Sequence, residues 1–214
     1  LNYALQEDER FDEVGPAGQV LWFLHRLEPE EVQSVPPYLQ YQPVEWDPAL
    51  LTSEMAALER QLDDEWSELD PPSDLVEPVT IVLTYPHWKS GTLPVSSRLS
   101  AVFPTGRTQR IRFTFVDAST GDEMAGWVVR EERYVYGLKE WYTEHKIPAG
   151  AYLELERGEE PGVVSIRQRS RRPRREWVRI VLPMRGSLTF EMRKELITCE
   201  YDELMIVTEE EAAL

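Results

Sequence analysis

The sequence predicts an α+β, mainly β fold: a pseudobarrel of short, mostly antiparallel strands with short helices at its ends, preceded by an acidic amphipathic helix. Three observations predict it. From Val79 onward, short β-rich runs alternate with turn signals, as in VTIVLTY, RIRFTFVD, AGWVVR, AYLELERG and EWVRIVLP. Two of these runs alternate with period two, placing Ile111, Phe113 and Phe115 on one side and Leu153 and Leu155 on one side. Third, LKEWYTEHK carries Leu138, Trp141 and Tyr142 at i, i+3 and i+4. A helix that short does not hold itself together in water, so it must lie across the mouth of the strands that flank it.

Taken in order, residues 1–27 predict two short strands, near Arg10 to Val14 and Gln19 to His25, turned by Gly15-Pro16-Ala17-Gly18. Two strands alone are marginal, so this hairpin needs a surface to pack on. Its Asp8, Arg10, Phe11, Val14 and Trp22-Phe23-Leu24 resemble the closing wing of a winged-helix domain, which would make it a fragment of an upstream domain. The chain opens at Leu1 inside a pattern and reads as part of a longer protein. Residues 28–78 begin as a proline-rich connector, with Pro29, Pro36, Pro37, Pro43 and Pro48, predicted to run extended. Asp47 as N-cap and Pro48 at the first helical position then open a helix of about six turns. Its apolar face is Leu51, Met55, Leu58, Leu62, Trp66 and Leu69; its other face is acidic.

Residues 79–185 carry the pseudobarrel. Gly121 in STGDE turns a hairpin, Trp141 plugs one end of the barrel, and Gly150 permits the return into AYLELERG. Residues 186–214 form an acidic segment that packs on the barrel or extends it. Charge divides along the same boundaries. Residues 1–78 hold 3 Lys/Arg against 19 Asp/Glu, residues 79–185 hold 18 against 12, and residues 186–214 hold 2 against 8. The chain's net charge of −16 therefore hides a basic middle between acidic flanks. Those flanks are expected to compete with any polyanionic ligand for the basic surface, or to meet a protein partner or the barrel itself through the acidic helix.

No apolar run approaches the roughly 20 residues of a membrane span, and residues 1–20 lack signal-peptide order. The single cysteine, Cys199, excludes an internal disulfide and points to a reducing compartment, the cytoplasm.

Residues 79 to about 170 resemble the DNA-binding pseudobarrel family, which includes the plant B-three transcription-factor domains and the effector-binding domains of some type II restriction enzymes. The resemblance runs through VTIVLTYPHWKSGTLPVSSRLSAVFP, RIRFTFVDASTGDEMAGWVV and RYVYGLKEWYTEHKIPAGAYLEL. It implies two arms gripping the major groove of double-stranded DNA. By position the first arm is 85–91, offering His87, Lys89 and Ser90 beside Trp88; the second is 130–134, offering Arg130 and Arg133. The alternative is that these are solvated loop residues, with Trp88 and Tyr134 tucked into the barrel.

A second candidate surface is IRQRSRRPRREWVR, with Arg169, Arg171, Arg172, Arg174 and Arg175 crowded around Pro173. Pro173 predicts a hairpin tip between strands 163–170 and 176–182, a positive finger suited to a nucleic-acid backbone or to the chain's own carboxylates.

Catalytic signals are weak. The three histidines, His25, His87 and His145, are far apart, and there is no Gly-rich phosphate loop. A nuclease set of Asp117, Glu154 and Glu156 lacks the carboxylate-x-lysine pairing. The expectation is no enzyme, no cofactor and no metal. The leading function is a double-stranded DNA-binding module in regulation or in restriction and defence. The alternative is a protein-interaction or scaffold domain that keeps the barrel.

Overall fold

The computed structural model describes residues 2–42, 45, 47–55, 64–66, 77–184 and 187–203. It begins with one helical turn, α1 (Asn2–Gln6), and an antiparallel hairpin of β1 (Phe11–Glu13) and β2 (Trp22–Leu24), with Asp12 opposite Phe23. A 3-10 turn (His25–Leu27), α2 (Glu30–Gln33) and a second 3-10 turn (Pro37–Leu39) follow. The connector thus winds where extension was expected. Pro29 and Pro36 sit at N-caps and Pro37 in a first turn, positions where a missing N–H costs nothing and a fixed φ helps.

At the start of the predicted acidic helix, Asp47 does cap a turn, its Oδ1 accepting from Ala49 N at 2.9 Å. That turn is a 3-10 turn (Pro48–Leu50), and Leu51 is extended before a helical stretch at 53–55. Residues 64–66 form a bend and turn. The rest of that expected helix, 56–63 and 67–70, lies outside the described residues, as does the tail from 204 to 214.

The central region runs β3 (Val79–Val82), α3 (Tyr85–Ser90), β4 (Thr92–Pro94), a 3-10 turn (Leu99–Ala101), β5 (Arg110–Asp117), β6 (Glu123–Val129), β7 (Tyr134–Tyr136), α4 (Lys139–Glu144), β8 (Tyr152–Arg157) and β9 (Val163–Gln168). Seven strands form one sheet in the order β3-β8-β9-β5-β6-β7-β4. All neighbours pair antiparallel except β5 with β9. The sheet curls into a half-barrel. Its two edge strands, β3 and β4, are joined through α3, so a helix spans the gap that hydrogen bonds leave open. α3 ends at Gly91, whose φ is +70°. A β-carbon there would overlap the Lys139 side chain, so glycine lets the end of α3 meet the start of α4.

Alternation explains the inner face. Ile111, Phe113 and Phe115 of β5, Leu153 and Leu155 of β8, and Val164 and Ile166 of β9 meet in one core. Trp141 and Tyr142 of α4 are buried against it, closing one end. β7 and the second half of β6, from Gly126 to Val129, are covered on both faces. Val128 and Val135 join the inner core, whereas Trp127, Val129 and Tyr134 form an outer cluster with Val14, Val32 and Leu39. The N-terminal hairpin and connector supply that outer cover. Phe23 meets Trp127 edge-on at 5.1 Å between ring centroids, and Arg112 N donates to Val14 O at 2.8 Å. The wing-like hairpin is therefore built onto the sheet.

After β9 comes a long antiparallel ribbon, β10 (Ser170–Met184) with β11 (Ser187–Cys199). Val178, Ile180, Ile197 and Cys199 on its inner face join the main core. Its open end is tied to β8, where Tyr152 N donates to Glu200 O at 3.0 Å and Ala151 bridges Tyr201. No helix among the described residues is long and apolar enough to cross a membrane.

Candidate nucleic-acid interface

The first predicted arm is not a loop but the helix α3, and its burial corrects two of the three candidate contacts. Thr84 before it, Pro86 in its first turn and left-handed Gly91 after it are the local signals for that helix. His87 is 2% exposed. Its Nδ1 stands 2.8 Å from Thr92 Oγ1 and its Nε2 3.2 Å from Glu65 Oε2. Ser90 is buried too. Neither side chain reaches a duplex, because the helix turns both toward the barrel. Lys89 stays at the surface, its Nζ 5.9 Å above the Tyr38 ring. Trp88 donates from Nε1 to Ile147 O at 2.8 Å and packs on the core.

Around His87 lies a small polar network. Burial pushes the Glu65 carboxyl up, but the hydrogen bond and charge of the His87 ring and the Tyr41 hydroxyl outweigh it and hold the group at about 2.

The second arm is the tight turn between β6 and β7. Tyr134 is 1% exposed and donates its hydroxyl to Glu31 O at 2.6 Å. Arg130 is exposed, yet its NH1 donates to Gly106 O and Thr108 O, both at 3.2 Å. Arg133 has φ of 54° and donates from NH2 to Val95 O at 3.3 Å. These arginines fasten neighbouring loops to the turn. The two arms also sit at opposite ends of the β4–β7 pair. Leu138 N bonds Gly91 O beside α3, while Val95 N bonds Arg133 O beside the turn. The intervening three residues span about 10 Å.

The arginine run departs most from expectation. Pro173 marks no hairpin tip, because β10 continues from Ser170 to Met184. Its register with β11 shifts between Ser170 and Arg174. A bulge is where a strand tolerates proline, whose missing N–H is not needed there. The run thus lies along a strand. At its base the arginines are engaged: Arg167 and Arg169 meet Glu154 at 2.6 and 3.2 Å, and Arg169 also meets Glu200 at 3.3 Å. Arg171 pairs with Glu176 and stacks 5.0 Å above the Tyr201 ring. The Arg171 hydrogen bond holds the Glu176 carboxyl below its usual range. Beyond them Arg172, Arg174, Arg175 and Arg179 are exposed and make no ion pair among the described residues.

The ribbon's outer face has a regular composition that no single strand of the sequence displays. Arg175 faces Leu196, Trp177 faces Lys194, Arg179 faces Met192 and Val181 faces Phe190. In the first three rungs a cation stands opposite a large apolar side chain, and the two swap strands at each step. Trp177, Phe190, Met192 and Leu196 are 64%, 62%, 58% and 61% exposed, whereas Val178 and Ile180 behind them are buried. The signal is present in the sequence as period-two alternation in both strands. It becomes legible only with the pairing register.

Carboxylates proposed for a nuclease do not converge. Asp117 is 1% exposed on the inner side, accepting from Trp141 Nε1 at 2.6 Å and Ser119 N at 2.7 Å, with His145 Nε2 at 3.3 Å. Burial pushes its carboxyl up, and the bonds from Trp141 and Ser119 with the His145 charge bring it below its usual range. Glu154 points to the other face of β8, paired with arginine, and Glu156 is exposed beside it. A different group does meet: Asp12, His25 and Glu28, with Arg110 NH1 2.6 Å from Glu28 Oε2. Burial raises the Glu28 carboxyl, and neighbouring Asp12 adds to that against the pull of Arg110. Its sequence signal is His25-x-x-Glu28 after a strand that pairs with Asp12's strand. Comparison with family models, curated proteins and solved structures finds no match, so the reading of these surfaces rests on their own chemistry.

Proposed function

We propose that the chain is a double-stranded DNA-binding module that engages the duplex through the outer face of the β10–β11 ribbon. One observation carries this reading: Arg175, Arg179 and Lys194 are exposed on that face, and Arg172 and Arg174 stand exposed beside it toward the ribbon's open end, Arg174 on the register of Ile197. A ribbon of this width enters a major groove, where its arginines meet phosphates and guanine edges. Alternate residues of a strand stand about 6.5–7 Å apart, so Arg175 and Arg179, two such steps apart with Trp177 between them, are separated by about 13–14 Å. Of the barrel arms, Lys89 remains as a flanking contact, whereas Arg130 and Arg133 are committed to backbone carbonyls of neighbouring loops.

Affinity for a labelled random duplex, measured across a salt series, tests this. Replacing Arg172, Arg174, Arg175 and Arg179 together by alanine lowers the slope of log affinity against log salt by about 0.9 for each phosphate that the variant no longer neutralises. The Lys89→Ala/Arg130→Ala/Arg133→Ala triple variant keeps most of the slope. Identical slopes for wild type and the ribbon variant would remove DNA from the ribbon.

The exposed Trp177, Phe190, Met192 and Leu196 support a second reading, a protein-interaction surface for an acidic partner. Under it the wild type shows no salt-dependent duplex binding, and an acidic peptide carrying spaced apolar residues binds instead.

A further inference from the structure

We propose that Asp12, His25 and Glu28 form a site for one divalent transition-metal ion of the zinc class. Asp12 is the middle residue of β1, and His25 and Glu28 bracket the 3-10 turn that follows β2. His25 Nδ1 lies 3.0 Å from Asp12 Oδ2 and 3.4 Å from Glu28 Oε2. One ligand atom from each residue falls within 4.8 Å of the others. A metal bonded at about 2.0–2.1 Å to nitrogen and oxygen holds adjacent donor atoms about 3.0–3.4 Å apart, from octahedral to tetrahedral geometry. The hairpin therefore brings the His25 ring and the two carboxyl groups within reach of one ion, with Glu28 Oε2 held by Arg110 and Oε1, on the same carboxyl, the oxygen left to bond it.

Glu28 supplies a second, independent observation. Its side chain is fully buried. Oε2 accepts from Arg110 at 2.6 Å, but Oε1 is buried without a hydrogen-bond partner among the described residues. Leaving such an oxygen unsatisfied costs about 1–3 kcal/mol, and more when it carries charge. A metal on Oε1 removes that cost while Oε2 stays on Arg110, the outer-shell arrangement that orients a ligating carboxylate. The charges agree: two carboxylates against one guanidinium leave the cluster one negative charge in excess when the imidazole is neutral. An imidazole donor favours zinc, cobalt or nickel over magnesium or calcium. Asp12 and His25 are 43% and 46% exposed at the side chain, so an ion has an entry path and keeps bound water. Asp12 and Arg110 also line a cleft of about 360 Å³ with Gln33, Ser34 and Glu131, which gives that water somewhere to face.

The full chain, stripped with chelator, is titrated by calorimetry and melted with Zn²⁺, Co²⁺, Mg²⁺ or Ca²⁺. One Zn²⁺ binds per chain and raises Tm, Co²⁺ gives visible d–d bands, and Mg²⁺ and Ca²⁺ do neither. His25→Ala weakens Zn²⁺ binding by more than the about 10- to 100-fold that losing a mere supporting partner costs. Cys199→Ser binds as wild type. Arg110→Gln gives a change of opposite sign: it keeps a donor for Oε2, removes a competing cation, and tightens Zn²⁺ binding. No saturable binding by the wild type, wild-type affinity in both His25→Ala and Asp12→Asn, or weaker binding in Arg110→Gln would each overturn the site.

Discussion

Trp141 and Trp177 show how differently the curled sheet and the ribbon use the same residue types. Trp141 is 4% exposed, wedged across the barrel mouth, with its indole N–H on Asp117. Trp177 stands on a strand whose neighbours Val178 and Ile180 are buried, yet it faces outward. The arginines divide the same way. Arg130 and Arg133 on the barrel donate to backbone carbonyls of the loops beside them, while Arg172, Arg175 and Arg179 on the ribbon have no such partners among the described residues. A sheet covered on both faces, as it is at β7 and the second half of β6, draws its cations into its own loops. A ribbon with only one face on a core keeps the other available, and that is where binding chemistry is to be sought.

The largest effect expected from this contrast is on stability. Trp141→Ala removes a buried indole and one hydrogen bond to the Asp117 carboxylate, costing about 3–5 kcal/mol in urea unfolding. Trp177→Ala changes stability by no more than about 0.5 kcal/mol, as an exposed substitution should, while weakening duplex binding. If both substitutions destabilise alike, the outer face of the ribbon is packed in solution and the contrast fails.

Legibility in the sequence follows the range of the interactions. β5 and β8 are readable because a half-buried strand records its inner face at every second residue, as Ile111, Phe113 and Phe115 do. α4 is readable because Leu138, Trp141 and Tyr142 repeat at helical spacing. α3 is not, since one and a half turns of YPHWKS carry no period, and only Thr84 before it, Pro86 in its first turn and Gly91 after it mark it. Pro173 misleads for a definable reason: proline breaks ladder pairing but is accepted at a bulge, and no local feature separates a bulge from a turn. Pairings between distant segments are invisible. Nothing near Phe23 announces Trp127, and nothing near His87 announces Glu65. One consequence is practical. Removing residues 1–77 to test whether acidic flanks mask DNA would also strip the cover from Trp127, Val129 and Tyr134, so charge-neutralising substitutions within the flank are the sounder probe.

A smaller effect separates the regions by pH. The Glu65 carboxyl is held at about 2, below the ordinary 4.5, by His87 and Tyr41. A depressed folded-state value means the stabilisation is fully present above about 4.5 and is lost as pH falls through about 2. Glu65→Gln therefore costs on the order of 2 kcal/mol at neutral pH, and its deficit against wild type narrows steadily from about pH 4.5 downward. A deficit that stays constant with pH would mean that Glu65 contributes by packing and not by charge.

The smallest effects are the most discriminating, because they run in opposite directions for two arginines of similar exposure. Arg130→Ala breaks two bonds to Gly106 O and Thr108 O and costs about 0.5–1 kcal/mol of stability, the net worth of solvent-accessible hydrogen bonds. It leaves the salt slope of duplex affinity untouched. Arg175→Ala has no internal bond to lose, so stability stays within about 0.5 kcal/mol, while the salt slope falls by about 0.9. Urea melts and a salt titration on the same two proteins read both quantities. A lowered slope in Arg130→Ala at unchanged stability would return the β6–β7 turn to the DNA surface. It would mean that the guanidinium leaves its carbonyls when a phosphate is offered, an exchange that costs little because both bonds lie at the solvent boundary.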